Sequence, residues 1–297
     1  MRVVFSSIYG DGVRSIQAAA EQLTEAQRQL ASGRRIAKPS DDALGSAAAI
    51  TEHQSMARLD AYTGAADAAG SRLSLADSAL SDIISQLTAA QTVTLSARGS
   101  GVSQARRDAA QNEILAIQHA LLGDINSKFQ GTYIFSGADV TTAPFERSGP
   151  GFTSYQGDST ETELEIGNGA DARLTFDGGR IFQGSDTQHI LDALSDLAAA
   201  LSIGDETGIQ TGLAAITRAY DRATNAQATI GNDLRRVDDT RQRTLNERTG
   251  VTARLQSIED TDMADAAAKL AQADTAYKAA LSSLSLIGRV SLMDYLR

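Results

Sequence analysis

The chain has 297 residues, of which 50 are alanine, three are proline and none is cysteine. So much alanine and so little proline favour long helices over a β-sandwich or a doubly wound sheet. The formal net charge of −10 argues against a nucleic-acid-binding protein, and the lack of cysteine excludes disulfides and cysteine-ligated zinc.

The first predicted helix has apolar residues in alternating steps of three and four, the spacing of a coiled-coil seam. We expect it to stop at Ser32-Gly33, because glycine takes the left-handed conformation that ends helices. Pro39 blocks continuation and Ser40 is a candidate N-cap for the next helix. The seam residues, which we predict to form an assembly interface, are Ile16, Ala19, Leu23, Ala26 and Leu30.

Residues 33–39 form a basic hinge between these two helices. Arg34, Arg35 and Lys38 either face solvent or meet acidic residues of a neighbouring copy, and the sequence leaves both interpretations open. Asp41 and Asp42 are predicted in the first turn of the following helix, where carboxylates suit its positive end.

Four further helical patterns lie in the middle of the chain. Their apolar seams run over 73–97, 110–121, 190–201 and 209–258, and the last seam contains no proline. The spacing of about 3.5 residues predicts that these helices pack as a bundle.

Residues 131–186 have a different character, with ten glycines and five of the seven phenylalanines. Short alternating runs at 163–166 and 173–176 predict strands, so this segment is expected to be a small β-rich inserted domain. Residues 167–172 match the GxGxxA pattern of dinucleotide sites. The run that follows alternates like a strand instead of starting a helix, so we predict a β-turn there.

The register of the long seam slips at residues 259–262, whose acidic and hydroxyl side chains can cap a new helix. A separate C-terminal helix is therefore predicted. Alanine-rich helices of this length are marginal alone, so we expect both ends to be largely disordered in the monomer and to fold against other copies. The interface residues predicted on this helix are Ala266, Leu270, Ala273, Tyr277, Ala280, Leu284 and Ile287.

The predicted fold class is mainly α, with a long antiparallel helical bundle or coiled coil formed by the N- and C-terminal regions and a small β-rich insert. His53, His119 and His189 lie far apart without metal-binding spacing, so we expect them to be solvated or at the bundle edge. We predict no enzymatic activity, no cofactor and no metal.

Two motifs resemble those of the flagellin superfamily. Residues 30–43, Leu-Ala-Ser-Gly-Arg-Arg-Ile-Ala-Lys-Pro-Ser-Asp-Asp-Ala, are similar to its N-terminal signature, and residues 257–264, Ser-Ile-Glu-Asp-Thr-Asp-Met-Ala, to its C-terminal pattern. Pro39 and both chain ends look more like the subunits of the hook–filament junction than like filament flagellins. Ala43 and Arg297 depart from the junction pattern.

The resemblance implies a structural subunit of the bacterial flagellum, located outside the cell. Residues 1–40 and 262–297 would form the inner coiled-coil layer of a tube, 41–130 and 187–261 a helical rod domain, and 131–186 the outer β-rich domain.

The implied partners are other copies of the chain, the first hook-associated protein, flagellin and an export chaperone, with no nucleic acid and no membrane. The resemblance also implies export through the flagellar type III channel, which fits the absence of a signal-peptide core. Two alternatives stay open, a filament flagellin and a cytoplasmic helical signalling rod.

Overall fold

A computed structural model describes residues 2–99, 101–149 and 151–295, and within these ranges the side chains of residues 9–286. Seven helices and six short strands follow one another along these residues. The helices are α1 (Arg2–Ser32), α2 (Ala43–Ser96), α3 (Gln104–Ile125), α4 (Gly178–Phe182), α5 (Ile190–Ile203), α6 (Glu206–Glu259) and α7 (Met263–Tyr295). The strands are β1 (Lys128–Phe129), β2 (Thr132–Tyr133), β3 (Arg147–Ser148), β4 (Gly151–Phe152), β5 (Glu163–Gly167) and β6 (Ala170–Arg173). This architecture confirms the predicted fold class.

The chain forms two compact units. The terminal unit consists of Met1–Arg58 and Arg248–Arg297, and the middle unit of Leu59–Glu247. The domain boundaries predicted at residues 40 and 262 stay predictions.

Large aliphatic side chains fill the core of the middle unit. Leu73, Leu80 and Leu87 repeat along α2 at seven-residue intervals and are almost completely buried. The heptad spacing keeps them on one face of the helix, as predicted from the sequence. Helices α3 and α5 pack together beside this face, and the buried Gln118 amide donates a hydrogen bond to the Leu191 carbonyl at 2.6 Å.

Three antiparallel hairpins, β1–β2, β3–β4 and β5–β6, make up the strands of the inserted segment. The β5–β6 hairpin turns at Asn168-Gly169, where Gly169 has a φ of +69°. The GxGxxA match is therefore a hairpin turn, as predicted. The strand predicted at 173–176 lies earlier instead, because the two-residue turn starts β6 at Ala170.

An aromatic cluster supports the insert. The rings of Phe135 and Phe182 meet edge to face with centroids 5.4 Å apart, and Phe145 packs 4.8 Å from the ring of His189. His189 is only 4% exposed, so the prediction of a solvated or bundle-edge histidine is wrong here. Burial lowers the pKa of His189, while the Asp192 carboxylate, 3.1 Å away, acts in the opposite direction.

Helix ends in the terminal unit follow mostly from local sequence. Gly33 has a φ of +69° after the last turn of α1, as predicted. Asp262 accepts a hydrogen bond from the Ala264 N–H at 2.8 Å, which caps α7 after the predicted break. The predicted N-cap at Ser40 and the predicted placement of Asp41 and Asp42 in the first turn of α2 are wrong, because α2 begins at Ala43 and Asp42 accepts a hydrogen bond from the Gly45 N–H at 2.8 Å.

Candidate assembly interface

Helices α1 and α7 pack against each other along the seams predicted from the sequence. Every predicted interface residue whose side chain is described is either buried or half-buried. The buried members are Ala19, Ala26, Ala266 and Ala273, and the half-buried ones are Ile16, Leu23, Leu30, Leu270, Tyr277, Ala280 and Leu284. The side chain of Ile287 lies outside the described residues.

Small residues bring the two helices close together. A Cβ atom added to Gly12 would lie 2.8 Å from Cδ1 of Leu284, so glycine leaves the space that this leucine occupies. Among the described side chains of the helix pair, the buried positions are all alanine, and each buries little more than one methyl group. At about 0.8 kcal/mol for each buried carbon, the pair gains little free energy from its own core.

A backbone clasp joins the hinge to the break between α6 and α7. The Arg35 N–H donates to the Glu259 carbonyl at 2.6 Å, and the Thr261 N–H donates to the Gly33 carbonyl at 3.0 Å. The Arg35 guanidinium also donates to the Ile258 carbonyl at 2.9 Å. The segment that follows α1, residues 33–35, and the segment that precedes α7, residues 259–261, are thereby held side by side.

Asp41 and Asp42 organise the hinge from within. The Asp41 carboxylate accepts hydrogen bonds from the backbone N–H groups of Lys38 and Ala37. These two hydrogen bonds are the main reason that the pKa of Asp41 lies below the usual range, and the Arg28 guanidinium lowers this pKa further. The Gly45 N–H is the main cause of the lowered pKa of Asp42, and Arg35, 3.1 Å away, is the second. Both carboxylates act on groups of their own chain.

The predicted hinge cations divide into two kinds. Arg34 reaches the carboxylate of Glu259 at 3.7 Å, and Arg35 pairs with Asp42. The exposed Lys38 ammonium makes no ion pair with residues in the described ranges. These contacts are within one copy, and the predicted intersubunit role of the cations stays a prediction.

Sequence reasoning missed three members of the hinge. Glu259 is buried and its carboxylate lies 2.8 Å from Nε2 of His53. Arg28 pairs with Asp41 at 3.0 Å. Because His53 and Glu259 lie about 200 residues apart, no local pattern could have paired them.

The terminal unit also exposes most of the large apolar side chains. Among the described side chains, nine large apolar residues are exposed, and six of them belong to this unit although it is much the shorter of the two. They are Tyr9, Leu44, Ile50, Met263, Leu281 and Leu286. The exposed large apolar side chains are therefore concentrated in the terminal unit, where they are available to contact another molecule.

The two units differ in charge as well. Residues 1–58 and 248–297 carry a formal net charge of +1, whereas residues 59–247 carry −11. Nearly neutral surfaces can approach one another closely, while like-charged surfaces repel.

Within residues 2–99, 101–149 and 151–295, no helix is long and apolar enough to cross a membrane. No three His, Asp or Glu side chains in these residues lie close enough together to hold a metal ion.

A chain whose two ends pair as helices, with a separately packed middle, is a helical protein of the flagellin type. The N-terminal helical region of bacterial flagellin matches residues 11–139, and the C-terminal helical region matches residues 213–296. The chain belongs to the flagellin superfamily.

Within that superfamily the chain is similar to hook-associated proteins. It is 24% identical to flagellar hook-associated protein 3 of Salmonella typhimurium, over 67% of this chain. The match spans 66% of the Salmonella protein, just under two thirds of its length. The protein of the same name from Escherichia coli K12 is also 24% identical, with 99% of both chains covered.

Solved structures show the same fold. A putative flagellar hook-associated protein from Vibrio parahaemolyticus superposes with a TM-score of 0.70 at 16% identity, covering 74% of this chain and all of that one. The flagellar junction protein FlgL from Legionella pneumophila gives 0.61 at 15% identity, covering 72% of this chain and all of that one. The resemblance to a cytoplasmic signalling rod therefore loses its support.

Proposed function

We propose that the chain is a structural subunit of the junction between the flagellar hook and filament, and that it assembles through its terminal unit. The grouping of exposed apolar side chains on a nearly neutral terminal unit is the observation that carries this proposal. The two curated relatives are both named hook-associated protein 3, which supports the junction over the filament.

The energetics of the helix pair support assembly coupled to ordering. Fixing the backbone of one residue costs about 1–2 kcal/mol, which is more than a buried alanine returns. Helices α1 and α7 bury only alanines completely among their described side chains, so contacts with further copies supply the missing apolar burial. In this proposal the predicted seam residues orient α1 and α7, and the exposed apolar residues meet the neighbours.

The family membership supports the remaining parts of the proposal. The first hook-associated protein would lie on the hook side and flagellin on the filament side, with an export chaperone holding the chain before secretion. Export would use the flagellar type III channel, which delivers the chain to the outside of the cell. The role is structural and involves no catalysis.

Leu23→Asp tests the proposal. The substitution places a charge in the half-buried α1–α7 seam, and we expect the variant to be secreted but absent from isolated hook–filament particles. The matched control is Thr24→Asp, which adds the same charge at an exposed position one residue away. The host should lack its own junction protein, and immunoblotting of particles and medium gives the readout.

Two results would contradict the proposal. Retention of Leu23→Asp at the level of Thr24→Asp would show that the helix pair is not needed for assembly. Incorporation of the unmodified chain along the whole filament would instead identify a filament flagellin. Unfolding of the middle unit in the purified full-length Leu23→Asp variant would contradict the separation of roles between the two units.

A further inference from the structure

The β3–β4 hairpin of the inserted segment is attached to the start of α5. The Asp192 carboxylate accepts a hydrogen bond from the Phe152 N–H, with Oδ1 3.3 Å from the nitrogen. His189 is the N-cap residue of α5, and its ring centroid lies 4.8 Å from that of Phe145 and 6.2 Å from that of Phe152. His189 and Asp192 therefore connect the helix to the hairpin through ring contacts and a hydrogen bond.

The imidazole of His189 caps α5 as a hydrogen-bond acceptor. Its Nδ1 accepts the Asp192 N–H at 3.4 Å, one of the N–H groups for which the helix itself has no acceptor. An accepting ring nitrogen carries no proton, so the single proton of the neutral ring is on Nε2. Nε2 is buried, has no hydrogen-bond partner among the described residues and lies 3.1 Å from Oδ2 of Asp192. The cap therefore requires the neutral form of the ring.

A second proton on His189 removes this cap. Both nitrogens of an imidazolium are donors, so Nδ1 and the Asp192 N–H would direct their hydrogens at each other. The positive charge would also lie at the N-terminus of α5, where the helix dipole disfavours a cation. The Asp192 carboxylate does attract the charged ring, but a carboxylate that turns to the imidazolium no longer accepts the Phe152 N–H. Burial accordingly lowers the pKa of His189, while Asp192 and the Thr153 backbone act to raise it.

The other ionisable groups on the described elements around His189 are exposed or bound elsewhere. Asp186, in the segment before α5, pairs with two arginines of α6. On α3, Asp124 accepts a hydrogen bond from an amide of α2, and the start of α3, with its remaining charges, lies at the opposite end of α5. The exposed groups are Glu113, His119, Glu146, Arg147, Arg180 and Asp196. The imidazole is therefore the group whose titration in mild acid changes this contact.

We propose that protonation of His189 releases the β3–β4 hairpin from the first turn of α5. The proposal concerns the free chain and does not depend on the proposed function. It makes the inserted segment respond to mild acid as a local switch, separately from the rest of the middle unit. Asp41 and Asp42 in the terminal unit stay ionised in the same pH range, because hydrogen bonds lower their pKa values.

Hydrogen exchange in the full-length chain tests the proposal. Exchange is followed by NMR at pH 7.5 and 5.0 and corrected for the intrinsic pH dependence of amide exchange. We expect the protection of the Phe152, Thr153 and Asp192 amides to fall, by at most about tenfold for each pH unit below about 6.5. The amides around Leu73 and Leu80 in the core of the middle unit should keep their protection.

His189→Asn separates the imidazole from every other acid-sensitive group. Asparagine keeps an accepting oxygen at the N-cap but takes up no proton in this pH range, so the variant should have the same protection at both pH values. The matched control is His119→Asn, at an exposed position of α3, which should keep the full response of the unmodified chain. The proposal is overturned if the unmodified chain shows no response, or if His189→Asn responds as strongly as the unmodified chain.

A second measurement leaves position 189 unchanged. The chain has three histidines, so comparison with His53→Gln and His119→Gln assigns the ring-proton NMR signals of His189. The chemical shift of the Phe152 amide should change with the same pH midpoint as the His189 ring. Different midpoints would mean that another group opens the hairpin. Equal losses of protection at Phe152 and at Leu80 would mean that the whole middle unit unfolds, and either result overturns the proposal.

Discussion

The two units bury different kinds of side chain. Seven apolar residues are buried among the described residues of the terminal unit, and five of these are alanine. The middle unit buries leucine, isoleucine and phenylalanine, many of them completely. Since hydrophobic stabilisation grows with the apolar area removed from water, we expect the middle unit to fold by itself and the terminal unit to gain much of its burial only in an assembly.

The two units also differ in where their large apolar residues lie. The terminal unit has such residues, but Leu44, Ile50 and Leu286 point outwards. A sequence pattern records that a residue is apolar and does not record which molecule covers it. Both units contain large apolar residues, but the middle unit buries most of them within its own chain, which makes it closed, whereas the terminal unit leaves several exposed, which makes it open.

The largest expected contrast concerns leucines in the two units. Leu80→Ala empties a completely buried position of the middle unit and should lower its free energy of unfolding by about 2–5 kcal/mol. Leu23→Ala, at a half-buried position of α1, should cost less than half as much in the monomer. Urea unfolding followed by circular dichroism, with hydrogen exchange to assign each transition, measures both. Equal losses in the free energy of unfolding would contradict the distinction between a closed middle unit and an open terminal unit.

Much of the fold could be predicted from the sequence because it depends on local signals. Gly33 ends α1, the acidic run at 259–262 separates α6 from α7, and heptad spacing places Leu73 and Leu80 in the core. The first turns of α2 gave no seam in the sequence, because alanine occupies exposed positions such as Ala47 as well as the buried position Ala49. The His53–Glu259 contact and the burial of His189 depend on residues brought together only by folding.

A second contrast comes from two glycines on α2. Gly45→Ala would place its Cβ 2.5 Å from Cδ1 of Ile36 and against the Asp42 carboxylate, so the hinge must shift, at a cost of about 1–3 kcal/mol. Gly64→Ala meets nothing within 4 Å and should stabilise the helix by about 0.5–1 kcal/mol. Hydrogen exchange at the Arg35 and Thr261 amides and thermal unfolding report the two effects. A stabilising Gly45→Ala would contradict the packing of the hinge.

Acid should affect the two units in different pH ranges. Because burial depresses the pKa of His189, its protonation favours unfolding. The neutral imidazole of His189 therefore contributes fully to stability above the pKa of an unfolded histidine, about 6.5. This contribution is lost as the pH falls below that value, by at most about 1.4 kcal/mol per pH unit. Asp41 and Asp42 have lowered pKa values, so their contribution to the hinge is complete above about pH 3.9 and is lost only below it.

Urea unfolding of the middle unit at pH 7.5 and 5.0 measures the first of these effects. We expect His189→Gln to have a smaller loss of stability between the two pH values than the unmodified chain. The matched control is His119→Gln, which makes the same substitution at an exposed position. An unaltered pH dependence in His189→Gln would show that Asp192 compensates fully for the burial of the imidazole.

The smallest expected effect distinguishes the hinge cations within the terminal unit. Arg35→Ala removes the pair with Asp42 and the hydrogen bond to the Ile258 carbonyl. Because the Arg35 side chain is about half exposed, we expect a loss of at most about 1 kcal/mol in the local stability of the clasp. Lys38→Ala should change this stability by less than about 0.5 kcal/mol, since its ammonium has no ion pair within the described residues. Hydrogen exchange at the Thr261 amide in the free chain compares the two variants directly. If Lys38→Ala instead weakens retention in flagella without altering that exchange, the cation acts between copies, as the sequence left open.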